Sequence, residues 1–180
     1  RPSTDKQAAY AAMKKIPSLL FVAALALLGG GCATQMQTAT TVSPPKRICK
    51  VRTTAYTRGE AGGRRNAVGT KLSGNNVKSA AADWSHWPLG TKFRIVGTDE
   101  VFQIDDYGSA LIGTGTIDLY KKNRLQMNKW GVRRVDIDVL AWGSTEESLK
   151  VLAPRSHNSK VRTMILALER RPNDLTVRPF

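Results

Sequence analysis

The chain has 180 residues, 28 of them Lys or Arg against 14 Asp or Glu, for a formal net charge of +14. So basic a chain suits anionic partners, but two cysteines are too few for a disulfide framework, and two histidines far from either cysteine offer no zinc-ligand spacing. A phosphate-cradling glycine loop with its lysine and a Gly-x-Ser-x-Gly elbow are both missing from the sequence, so no cofactor is expected.

Residues 1–12 carry no targeting feature and read as translated upstream sequence, with Met13 as the start. Lys14 and Lys15 open a charged region. The run Leu19 to Leu28 is apolar but short for a bilayer span, and Gly29, Gly30 and Gly31 lead into Cys32. Residues 13–31 therefore read as a signal peptide ending at a lipoprotein processing site, with Cys32 as the lipidated residue and anchor. The alternative is cleavage without lipidation. Gly29 stands where a branched aliphatic residue is usual, and Ala33 directs an anchored protein to the outer membrane, facing the periplasm. Export turns the positive charge away from nucleic acid and towards the polyanions of a cell envelope. Residues 32–47, rich in Thr, Gln, Ser and Pro, form a tether. What remains, about 130 residues, suits one domain with one core.

Val51 to Tyr56 is rich in β-branched and aromatic residues and predicts the first strand. Gly59 to Asn76, punctuated by glycines, reads as a long loop. Thr91 to Val96 and Val101 to Asp106 alternate on either side of Gly97 to Glu100, a hairpin. Thr116 to Tyr120 is a further strand candidate. Asn123 is placed to cap a short helix that stops at Gly131. Arg133 to Leu140 alternates again, putting Val135, Ile137 and Val139 inward and Asp136 and Asp138 on a solvated face. Ser144 to Glu147 is a capping box, predicting a helix over Ser148 to Ala153 that ends at Pro154. Val161, Met164, Ile165 and Leu168 fall at helical spacing and predict an amphipathic helix, either core or membrane-seeking. The architecture expected is a mostly β domain over residues 48–143, a small barrel, with a helical extension over 144–180.

Three carboxylates sit in apolar surroundings. Asp83 follows three alanines and precedes Trp84; Asp118 lies between Ile117 and Leu119. Asp106 ends a strand on the parity of Phe102 and Ile104, so strict alternation turns it to the apolar face and Asp105 away from it. A carboxylate held there is desolvated and its pKa raised. Read singly, each of the three is equally a turn or capping aspartate.

The ordered series Thr54-Ala55-Tyr56, Ala82-Asp83, Pro88 to Thr91, Asp106 to Gly113, Ile117 to Tyr120 and Trp130 to Arg134 resembles the three-aspartate (3D) domain family over Val51 to Gly143. It departs in having Asp106-Tyr107-Gly108-Ser109 for the usual Asp-Thr-Gly-Gly, and in Thr114-Gly115, which lengthen the approach to Asp118. The resemblance implies a double-psi β-barrel similar to the catalytic domain of membrane-bound lytic transglycosylase A and of resuscitation-promoting stationary-phase proteins. It implies a lyase activity on peptidoglycan glycan strands, cutting the MurNAc–GlcNAc bond to a 1,6-anhydro product. Asp118 would be the acid/base, Asp106 the neighbour that holds its proton or stabilises oxocarbenium charge, and Asp83 a residue that orders the site. Tyr107, Gly108, Ser109, Thr54 and Tyr56 would contact substrate. Trp84 and Trp87 are either sugar-stacking or core. A non-catalytic glycan-binding lipoprotein is the competing expectation.

Overall fold

The computed structural model describes residues 45–60 and 63–170; the signal segment, Cys32 and all but the end of the tether lie outside them. Six strands, β1 (Lys46–Tyr56), β2 (Val77–Ala82), β3 (Lys92–Ile95), β4 (Val101–Asp106), β5 (Ile117–Tyr120) and β6 (Arg133–Ala141), close a barrel in the order β1-β5-β2-β4-β3-β6. Pairings β1–β5 and β2–β4 are parallel; the other four are antiparallel. The expected mostly β class, a small barrel with short helices at its C-terminal end, is the fold found. Helix α1 (Arg124–Trp130) fills the β5–β6 connection, and its N-cap is Asn123, whose side chain accepts from the Gln126 amide. It stops at Gly131, where φ is 61°.

Two strand readings need correction. β1 begins at Lys46, ahead of the expected Val51, because the chain continues through a bulge between Ile48 and Val51 and pairs with β6 on both sides of it. Lys50 takes the left-handed φ of 57° there, and its amide donates to Asp136 Oδ1 at 2.8 Å, so Asp136 holds the bulge. β2 was not expected. Its Val-Lys-Ser-Ala-Ala-Ala sequence has little intrinsic strand preference, but Ala80, Ala81 and Ala82 are all buried between β4 and β5.

Phe93 and Phe102, stacked at 5.6 Å, join Ile104, Ile117, Leu119 and Ile137 in the core. Each such side chain contributes about 1.5–3 kcal/mol by leaving water. Trp84 and Trp87 are fully buried in the same cluster, which decides for core and against sugar stacking. The C-terminal helices α2 (Thr145–Leu152) and α3 (Ser159–Glu169), joined by a 3₁₀ turn Ala153–Arg155, complete it. Leu152, Val161, Met164 and Leu168 all belong to this core, so the α3 stripe faces protein. α2 starts three residues earlier than expected because Ser144 caps it, accepting from the Glu147 amide at 3.1 Å. Asp138, read as solvated, is buried instead. Arg47 Nε meets its Oδ1 at 2.8 Å and Arg94 its Oδ2 at 3.2 Å, and the two guanidiniums hold its carboxyl below the ordinary range.

Candidate functional site

The site begins with an irregularity in β4. β2 pairs Ala80 with Ile104 but Ala81 with Asp106, so Asp105 is an extra residue bulged between them. The bulge reverses the parity after Ile104 and turns Asp106 to the face of Ala81, away from the core; strict alternation had placed it inward. Ala81 in turn pairs with Asp118, and Asp118 with Thr54. Thr54, Asp118, Ala81 and Asp106 thus form one row across β1, β5, β2 and β4, on a single face of the barrel wall. Asp106 and Asp118 lie two strand spacings apart at Cα, about 9–10 Å, with only the methyl of Ala81 between them.

Both carboxylates are half-buried. Burial pushes Asp106 up to about 6 against the opposing amide of Tyr107, which donates to Oδ1 at 2.9 Å, and the charge of Asp105 adds to the rise. Burial also raises Asp118, against the Thr54 hydroxyl, which donates to Oδ1 at 2.6 Å. The negative neighbour that raises Asp118 further is Glu60, not Asp106. Asp106 and Asp118 are thus two desolvated carboxyls, each with an acidic neighbour of its own, Asp105 and Glu60. Asp105 is likewise raised by burial, and accepts from Ser79 Oγ at 2.6 Å and Asn66 Nδ2 at 2.9 Å.

Tyr56 lies beneath this row. Its ring is buried edge-on to Tyr120 at 5.6 Å, and its hydroxyl donates to Asp106 Oδ2 at 3.4 Å. Burial and the charges of Asp106, Asp105 and Asp118 all raise its pKa, so it stays a protonated donor to Asp106. Thr54 and Tyr56 do belong to the site, but as partners of the carboxylates.

The remaining expected residues go elsewhere. Asp83 is 2 % exposed, and both its oxygens are occupied, Oδ1 by the Ser85 amide at 2.8 Å and Oδ2 by the Gly113 amide at 2.7 Å. It ties the end of β2 to the loop ahead of β5. Tyr107 sends only its amide to the row. Its ring lies edge-on to Trp84 at 5.2 Å and, with Ser109, lines a separate cavity of about 220 Å³ beside Arg155 and His157. Gly108 serves the turn, its carbonyl accepting from Leu111 at 2.9 Å. Sequence reasoning missed Glu60 and Ala81. Nothing in a glycine-rich loop signals Glu60, and Ala81 becomes meaningful only as the narrow floor between two acids.

No family model and no curated protein matches this chain. Among the described residues, no group of three or more His, Cys, Asp and Glu is placed to hold a metal ion.

Proposed function

We propose that the chain is a peptidoglycan lytic transglycosylase that cuts MurNAc–GlcNAc bonds with Asp118 as acid/base. The observation that carries this reading is the row itself: two carboxylates with raised pKa values, open to one face of the wall, with a small residue between them. Desolvation raises both carboxyls towards the protonated form that the acid of glycosidic cleavage requires. Asp118 gives its proton to the bridging oxygen as the C1–O bond breaks. Asp106, two strands further on, supplies negative charge to the oxocarbenium ion. The C6 hydroxyl of the same sugar then attacks C1 and returns its proton to Asp118, so no water is consumed. The motif order over Val51 to Gly143 and the two parallel strand pairs support the same reading and the 3D-type double-psi barrel it implies. A lipid anchor at Cys32, holding the domain at the outer membrane, belongs to this proposal.

The test is mass spectrometry of purified peptidoglycan incubated with the protein. The wild type should release anhydro-muropeptides, and Asp118→Asn should lose about 10²- to 10⁴-fold in rate while keeping its thermal melt. A folded Asp118→Asn protein of undiminished activity would overturn the assignment. Binding to glycan with no anhydro product from the wild type would establish the competing, non-catalytic reading.

A further inference from the structure

A second cavity, of about 580 Å³, opens between the ends of β2 and β5 and helix α1. Its charge is lopsided: Lys78, Lys121, Lys122, Lys129 and Arg133 line it against one carboxylate, Glu100. Glu100 is already engaged, since Lys78 and Lys121 both pair with it. Lys121 is buried to its tip, with Nζ 4.4 Å from the Trp130 ring centroid and 5.2 Å from that of Phe102. Burial, together with the charges of Lys78 and Arg133, lowers its pKa. Lys122 and Lys129 are exposed at the rim and make no ion pair among the described residues. A pocket that gathers this much positive charge on both buried and rim positions is electrostatically unfinished without an anion.

The kind of anion follows from the donors. Arg133 is the only guanidinium in the lining and is committed, Nε to the Trp130 carbonyl at 2.8 Å and Nη2 to that of Lys129 at 2.7 Å. No free fork remains for a phosphate, whereas separated lysine ammoniums suit several separate carboxylates. Its position ties it to the carboxylate row. Tyr120 lines this cavity and sits two residues after Asp118 on the same face of β5, about 7 Å along the strand. We propose that the cavity seats the carboxylates of peptide side chains on a glycan whose sugar backbone lies over Asp118 and Asp106. The proposal rests on the glycan reading above.

The full chain is tested by co-sedimentation with three probes: purified peptidoglycan sacculi, sacculi whose carboxylates have been amidated, and a single-stranded DNA oligonucleotide. The double variant Lys122→Gln with Lys129→Gln removes rim charge without touching the core or the Asp118 row. Wild type should bind untreated sacculi roughly tenfold more tightly than amidated sacculi, and the double variant should bind both at the weaker level. Equal wild-type binding to both preparations, or a double variant indistinguishable from wild type, overturns the inference. So does oligonucleotide binding that exceeds sacculus binding and vanishes in the variant, which would make the cavity a polyphosphate site. Anhydro-product release, measured in parallel, separates this inference from the catalytic reading. Carboxylate-dependent binding without product sinks the enzyme and keeps the cavity; unchanged cleavage of amidated sacculi does the reverse.

Discussion

Asp106 binds its proton more tightly folded than unfolded, because folding takes half its surface out of water and sets Asp105 beside it. That coupling has a sign that can be measured. With a folded pKa of about 6 and an unfolded one near 3.9, the group favours folding fully below about pH 4 and loses that advantage as the pH rises through 6. Asp106→Asn keeps an acceptor for the Tyr107 amide but cannot ionise. Its stability relative to wild type should therefore climb between pH 4 and pH 7.5, by at most about 2 kcal/mol once solvent screening of the half-exposed group is allowed for. Thermal melts across that range decide it, and a pH-independent difference would mean that the carboxyl is not desolvated. Asp83 is a tie between two backbone amides. Asp83→Ala strands the Ser85 and Gly113 amides and should cost about 1–3 kcal/mol, read as a lower denaturation midpoint.

Between β6 and α2, Gly143 makes the tightest approach of any glycine among the described residues. A Cβ on Gly143 would meet the Thr91 amide nitrogen at 2.6 Å and lie closer still to the carbonyls of Pro88 and Leu89. The contact is locked by Ser144, whose amide donates to the Leu89 carbonyl at 2.9 Å, and by Ser148, whose hydroxyl accepts from the Leu89 amide at 2.9 Å. Gly143→Ala should thus cost about 1–3 kcal/mol and loosen α2 and α3 together, visible as faster amide exchange in Leu152 and Met164. Elements of this sort divide by how much of their cause is local. The β3–β4 hairpin, α1 between Asn123 and Gly131, and the Ser144 cap are legible because turn and cap chemistry sits in a few adjacent residues. β2 is not, since an alanine run becomes a strand only when β4 and β5 arrive on either side. Nor is the Asp105 bulge, which exists as a mismatch between the registers of two strands that are distant in sequence and leaves no mark in either. The three aspartates were therefore legible as residues of interest, while the partners that hold each of them, Thr54 on Asp118, the Tyr107 amide on Asp106 and the Ser85 and Gly113 amides on Asp83, were not. Asp138 escaped for the same reason, its partners Arg47 and Arg94 lying on two other strands.

Across the barrel, the carboxylate row and the lysine cavity share strand β5. The strand carries Asp118, and its end leads through Tyr120 to Lys121 and Lys122. The order of the strands adds a constraint of a different kind. β6, the last strand made, is the only one that joins β1 to β3, and it pairs Lys46 with Val139 across most of the domain. Until residues 133–141 are in place, both β1 and β3 present a row of unpaired backbone amides and carbonyls to whatever is near. A chain ending before Arg133 should accordingly be no smaller version of the barrel but a self-associating strand pairer, detectable as oligomers by light scattering. Supplied separately, a segment carrying β6 and the two C-terminal helices has a template on both sides waiting for it. The missing strand also brings the core contacts of Leu152, Val161 and Met164, so the two pieces carry the information to find each other and restore the closed wall.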